Sequence, residues 1–193
     1  MTKKKLIILA SALFLTIVAT VLALTVFGGG DSVSFEGTTE KSKPVEQALT
    51  AIYNEDGSGY YAAFPPALKE KYEETYVIPG TFVPCKTMGD YLKSYMSKVN
   101  KANYGEDYTV EVEFLKEEKL SVEKLNGMAS DPNLDVYTYM RFVTEENTEE
   151  LWQITLKIKY SGSLDEEEKE QFVYVVKQDG KWYLHPCFVF YGF

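Results

Sequence analysis

The stretch Phe172-Val173-Tyr174-Val175-Val176-Lys177-Gln178-Asp179-Gly180-Lys181-Trp182-Tyr183-Leu184 decides how the chain folds. Two runs, Phe172–Lys177 and Lys181–His185, flank Gln178-Asp179-Gly180. Asp-Gly between alternating runs predicts a hairpin, because a type I′ turn needs positive φ at both central positions. Upstream, Trp152, Ile154, Leu156, Ile158 and Tyr160 alternate with Gln153, Thr155, Lys157 and Lys159. That period of two is a half-buried strand. The charged stretch Ser161–Glu170 reads as the turn between this strand and the hairpin. Val136–Thr144 reads as a further strand and Ser121–Met128 as a short helical crossover. From Asp107, Tyr108, Val110, Val112 and Phe114 again alternate with Thr109, Glu111 and Glu113.

Before Asp107 the period is 3.6. Ser42-Lys43-Pro44 predicts a helix start: Ser42 caps, Pro44 tolerates the first turn, and Glu46 meets the positive end of the dipole. Val45, Ala48, Leu49 and Ile52 then form one apolar face, and Asn54-Glu55-Asp56-Gly57 stops the helix. Ser58 is expected to cap a second helix carrying Tyr60, Tyr61 and Phe64, and Pro65-Pro66 to open a third over Ala67–Thr75. Val77–Lys86 reads as a loop, followed by a helix bearing Tyr91, Tyr95 and Val99. Helices first and strands afterwards predict an α+β domain, with the helices packed on one face of an antiparallel sheet.

At the other end, Leu6–Phe27 runs for twenty-two residues without charge, proline or glycine, after Lys3, Lys4 and Lys5. As a helix it spans ~33 Å, enough for a hydrocarbon core of about 30 Å. The rival is a secretory signal peptide, whose apolar region runs about 7–15 residues and ends at a small-residue cleavage site. Here Thr25-Val26-Phe27 puts bulky residues at that place, so a retained signal-anchor is expected. The leading lysines keep the N-terminus in the cytoplasm. The expected organisation is a cytoplasmic basic end (1–5), a transmembrane helix (6–27), a flexible tether (28–43) and one extracytoplasmic domain (44–193). The expected location is the cell membrane, single-pass, with Leu6–Phe27 as the membrane contact.

No acidic residue precedes Gly28, so the part beyond the anchor carries all 29 Asp and Glu against 17 Lys and Arg, a formal charge of −12. Affinity for nucleic acid comes largely from bases neutralising phosphates, so a nucleic-acid partner is excluded. Cys85 and Cys187 either form a disulfide, which in an exported chain could contribute about 4–5 kcal/mol by closing so long a loop, or stay separate thiols.

The layout resembles the NTF2-like superfamily, a cone in which a strongly bent sheet wraps over N-terminal helices. The resemblance covers roughly Pro44–Pro186. It rests on Pro44-Val45-Glu46-Gln47-Ala48 leading to Asn54-Glu55-Asp56-Gly57, on Tyr60-Tyr61 and Phe64-Pro65, and on Val175–Leu184. Such an ending recurs in small exported, membrane-tethered members. The resemblance implies a cone that holds a small apolar molecule, a sheet that meets a protein, and pairing of two copies through their sheets. Some members place an acid and a tyrosine in the cone to move protons beside a carbonyl.

The residues themselves offer little chemistry. Tyr137, Tyr139 and Arg141 share one strand face and could line a cone; cross-strand packing with solvent-facing ends is the favoured account. His185 is the only histidine. Cys187 stands two residues away, roughly 6–7 Å in extended chain, which does not suit a nucleophile and its base. Asn54-x-Asp56-x-Ser58-Gly59 begins like a calcium loop but has Pro65 where the bidentate Glu belongs, and Asp131-x-Asn133-x-Asp135 is followed by Val136 instead of glycine. No catalytic residue, metal site or cofactor is expected. The acidic groups Glu145, Glu146, Glu149, Glu150 and Asp165–Glu168 read as solvated strand ends. The apolar Phe188–Phe193 packs on the sheet or beside the Cys85 loop, or forms a partner-binding strand. The leading function is a non-catalytic binding or interaction domain; the alternative is a cone-pocket isomerase or hydrolase using a buried carboxyl with tyrosines.

Overall fold

The computed structural model describes residues 32–68, 90, 96–125 and 143–186. In chain order its elements are β1 (Val33–Glu36), α1 (Lys43–Tyr53), α2 (Gly57–Ala62), α3 (Ser97–Tyr104), β2 (Thr109–Leu120), β3 (Glu150–Ser161), β4 (Glu166–Gln178) and β5 (Lys181–Leu184), with a 3₁₀ turn at Glu145–Asn147. The five strands form one sheet in the order β1-β2-β3-β4-β5. The α+β class and the hairpin are as the sequence predicts: Asp179 and Gly180 both take positive φ, 50° and 71°.

The start of α1 also follows the sequence, with one difference in how Ser42 works. Its carbonyl accepts from the amides of Val45 and Glu46 at 2.8 and 3.0 Å. Its hydroxyl makes no cap bond to the helix backbone; it is fully buried, accepting from the Thr39 amide and donating to the Glu46 carboxylate. In α2 the cap is Asp56, two residues before the expected Ser58, and its carboxylate accepts from the Gly59 amide at 3.0 Å.

Two expectations need correction. The 28–43 stretch is not a plain tether, because Val33–Glu36 pairs with Val110–Glu113 as β1, and the compact body opens at Val33 instead of Pro44. That pairing is parallel, so the sheet is mixed where an antiparallel one was expected. A parallel neighbour needs a long crossover, and the helical segment between β1 and β2 supplies it. The apolar-polar alternation Val33-Ser34-Phe35-Glu36 is too short to stand out from a polar linker. The second correction is that Glu166–Glu170 are strand and not turn; they pair with Lys157–Ser161 across β3.

The main core lies between α1, α2 and one face of the sheet. Val45, Ala48, Leu49 and Ile52 of α1 meet Ile154, Leu156 and Ile158 of β3 and Val173 and Val175 of β4, all buried. Full burial of one such aliphatic side chain stabilises by about 1.5–3 kcal/mol. The Leu184 amide donates to the Ala63 carbonyl at 2.7 Å, fastening β5 to the end of α2. Because the β3–β4 register is regular, Leu151 and Val176, opposite one another, fall on the other face. There they form a second cluster with Leu125 and Val143. A bulge in β2 between Phe114 and Lys116 makes this two-sided arrangement work. An extra residue reverses the phase of a strand, so Phe114 points to the helices while Leu120 joins the second cluster.

Among the described residues no helix is long and apolar enough to cross a membrane. Leu6–Phe27 lies outside the described residues, as do nearly all of Val136–Thr144 and the 77–86 loop.

Two glycines test this geometry. At Gly180 a methyl group would meet nothing within 4 Å, so Gly180→Ala should lose only the left-handed backbone term, about 1 kcal/mol. A Cβ on Gly162 would sit 2.0 Å from the Tyr104 carbonyl oxygen. Urea midpoints should therefore fall further for Gly162→Ala than for Gly180→Ala, and the reverse order would refute the close approach of Gly162 to α3.

Candidate interaction surface

Register and alternation assign every sheet side chain to the helix side or to the opposite side. On the side away from α1, Glu113 pairs with Lys157 and Glu111 with Lys159, and across β4 Lys157 faces Glu170 and Lys159 faces Glu168. Lys157 Nζ lies 2.9 Å from Glu113 and 3.8 Å from Glu168, and Lys159 Nζ lies 3.1 Å from Glu166. Hydrogen bonds to Glu113 and Glu166 hold the two ammonium groups above their ordinary pKa. Exposed pairs of this kind fix cross-strand register more than they stabilise. With Ser34 and Glu36 they border an open groove of ≈ 370 Å³. The same face carries Thr155 opposite the exposed Phe172, whose ring meets Tyr174 edge-on at 5.6 Å. Leu115, at the bulge, is also exposed.

The strand ends are tied by bonded acids, not loose ones. Glu150 accepts from the Trp152 indole at 3.0 Å and pairs with Lys119 at 2.9 Å. Those two hydrogen bonds, Lys119 foremost, pull its carboxyl down to about 2. Lys41 sits 4.4 Å over the Trp152 ring and 2.5 Å from Glu117, a cation–π contact that pins the β1–α1 connection to the sheet. At the hairpin tip the Gly180 amide donates to Glu149 at 2.8 Å and Gln178 donates to Asn147 at 2.9 Å. Glu149, Asn147, Gln178 and Pro66 flank a second open groove of ≈ 600 Å³.

A cone-pocket enzyme would need a carboxyl buried beside a tyrosine hydroxyl, with its pKa raised. The tyrosines are there: Tyr104 stacks on Tyr160 with centroids 5.0 Å apart, and Tyr53 meets Tyr108 at 4.9 Å. Burial pushes Tyr160 up, and burial with the Glu167 contact pushes Tyr104 up to about 12. The carboxyl that meets them goes the other way. Tyr104 donates to Glu167, and that bond, with Lys169, holds Glu167 below the carboxylate range at the surface. Among the described residues every resolved carboxyl shift is downward. Among the described residues, aliphatic and tyrosine side chains pack together on the helix side of the sheet.

His185 is fully buried, its amide donating to the Tyr174 carbonyl at 2.9 Å and its ring edge-on to Tyr174. Burial lowers its pKa to about 3, so it is neutral in the folded chain. A proton shuttle near neutral pH is not its role. Tyr137, Tyr139, Arg141, Cys85 and Cys187 lie outside the described residues. No cluster of metal-ligating side chains occurs among the described residues. Sequence reasoning missed the Tyr104–Glu167 bond, whose partners stand 63 residues apart, and the strand character of Glu166–Glu170.

No family model matches the chain, and no curated protein matches it. Among solved structures it is similar to the crystal structure of a NTF-2 like protein of unknown function from Shewanella oneidensis MR-1. The two are 12% identical, the match covers 76% of this chain and 92% of that one, and the TM-score is 0.37.

Two titrations check the site. The unfolded chain protonates His185 near 6.5 while the folded chain refuses the proton until about 3. Stability from this residue is therefore complete above pH 6.5 and is lost as pH falls below it, by up to about 1.4 kcal/mol per unit. Urea midpoints should drop from pH 7 to pH 5, above the carboxylate range, and His185→Gln should flatten that slope. Separately, Tyr104→Phe should raise the Glu167 pKa toward its ordinary value in a carbon-13 carboxyl titration; an unmoved resonance would mean that the hydroxyl does not hold the carboxylate.

Proposed function

We propose that this chain is a single-pass, membrane-anchored extracytoplasmic domain that binds a protein on the open face of its sheet and catalyses no reaction. One observation supports the choice of a protein over a small apolar molecule: Ile154, Leu156 and Ile158 are at most 1% exposed, so among the described residues that stretch of the helix-side face is covered by the chain itself. Ligand sites of drug size are clefts of ~300–1,000 Å³ with apolar walls. The two open grooves are mixed, with Phe35 and Val112 among charged residues in one and Pro66 and Ala67 among polar residues in the other. The sheet face away from α1 combines exposed Phe172 with a regular charge ladder, which gives a partner both apolar contact and register. The anchor follows from the length and flanking lysines of Leu6–Phe27.

The test is a photo-crosslinking amino acid placed at Thr155 in the full chain, expressed in its native cells, with Lys43 on the helix side as the control position. Discrete protein adducts from Thr155, and none from Lys43, are expected. A small apolar molecule recovered in equimolar amount from the purified full chain would overturn the reading.

A further inference from the structure

β4 is thirteen residues long, and among the described residues β5 pairs with Val175–Gln178 of it and the His185 amide donates to Tyr174. In an antiparallel ladder a residue turns its N–H and its C=O to the same side, and successive residues alternate. Tyr174 accepting from His185 therefore sets the even-numbered residues of β4 toward the side away from β3. Glu166, Glu168, Glu170 and Phe172 present their backbone groups along that edge for roughly 20 Å. Among the described residues no strand pairs with it.

The side chains along the edge have one sign. Within β4 itself Glu166, Glu167, Glu168 and Glu170 stand beside Lys169; Lys159 and Lys157 of β3 pair with Glu166 and Glu168 from the other side, Lys169 pairs with Glu167, and Glu170 makes no ion pair among the described residues. Phe172 is 56% exposed at one end, and Leu164 is 67% exposed beyond the other. A second copy pairing antiparallel through this same edge would set Glu166–Glu170 against itself, and like charges opposite one another destabilise a ladder. A basic strand meets no such opposition.

We propose that the free edge of β4 receives an extended basic segment of a partner protein as a sixth strand. Main-chain bonds form to Glu166, Glu168, Glu170 and Phe172, lysine or arginine side chains face the three glutamates, and one apolar side chain covers Phe172. Backbone pairing supplies affinity and the alternating side chains supply choice of partner, the general logic of strand addition. The proposal rests on the interaction reading above and narrows it to one edge and one class of peptide.

The probe is a labelled eight-residue peptide alternating lysine with valine and threonine, titrated into the full chain and read by fluorescence anisotropy. Binding is expected, with none for the glutamate counterpart. N-methylation of the alternate residues that face β4 should weaken binding by about tenfold, the loss of one or two hydrogen bonds, and methylation in the other phase should leave it unchanged. Glu170→Pro removes one edge-facing amide, spares the amides that face β3, and should weaken binding more than Glu170→Gln. Equal effects of the two methylation phases would mean attraction by charge alone and would overturn the proposal. Absence of binding would overturn it too. So would binding that appears only when residues 187–193 are removed, which would make the chain's own tail the occupant, or peptide competition with a self-associated dimer, which would make it a second copy. If crosslinks from Thr155 form while the peptide fails, only the edge assignment falls; if neither is seen, the interaction reading falls with it.

Discussion

The alternation along β3 is the constraint on which the rest depends. One row, Ile154, Leu156 and Ile158, is sealed against α1, while the intervening Thr155, Lys157 and Lys159 face the other way. A slip of one residue would exchange the rows and bury two ammonium groups in the aliphatic core. Both neighbours pair with β3 over nearly its whole length, so its phase sets theirs. The ion pairs from Lys157 and Lys159 reinforce the same phase from the solvent side. The bulge in β2 lets one long strand serve a helix-packed core at one end and the opposite-face cluster at the other.

What could be read from the sequence was local. The Asp179-Gly180 turn, the β3 alternation and the apolar face of α1 are each decided within a dozen residues. What escaped was decided by partners far away. β1 is four residues whose strand character comes from β2, and Glu166–Glu170 lack any alternation because both faces of that half of β4 meet water. The second cluster needed the bulge, which no residue pattern marks. For the candidate site, the sequence suggested surface acids at the strand ends, but not that Glu150 would be held by Lys119 and Trp152 or that Glu167 would meet Tyr104. Nor does one histidine in a sequence say whether it is a catalyst or a sealed core residue; only the packing around His185 decides that.

The acidity of the domain is organised. Carboxylates on the sheet are interleaved with lysines on the strand between them, and those at the ends of β3 and β4 bond to backbone or indole. Hydrogen bonds and ion pairs favour the charged form, and they hold Glu150 and Glu167 below the ordinary carboxylate value. Tyr104 and Tyr160 are shifted the opposite way. The two kinds of group meet at the hydrogen bond between Tyr104 and Glu167.

The parallel pairing of β1 has a consequence for how the chain is made. Val33 is registered with Val110, so β1 stays without its partner strand until the helices between them have been synthesised. Sequence-distant pairing of this kind is the slow part of folding. A nascent chain halted before Val110 would carry β1 without the strand it pairs with.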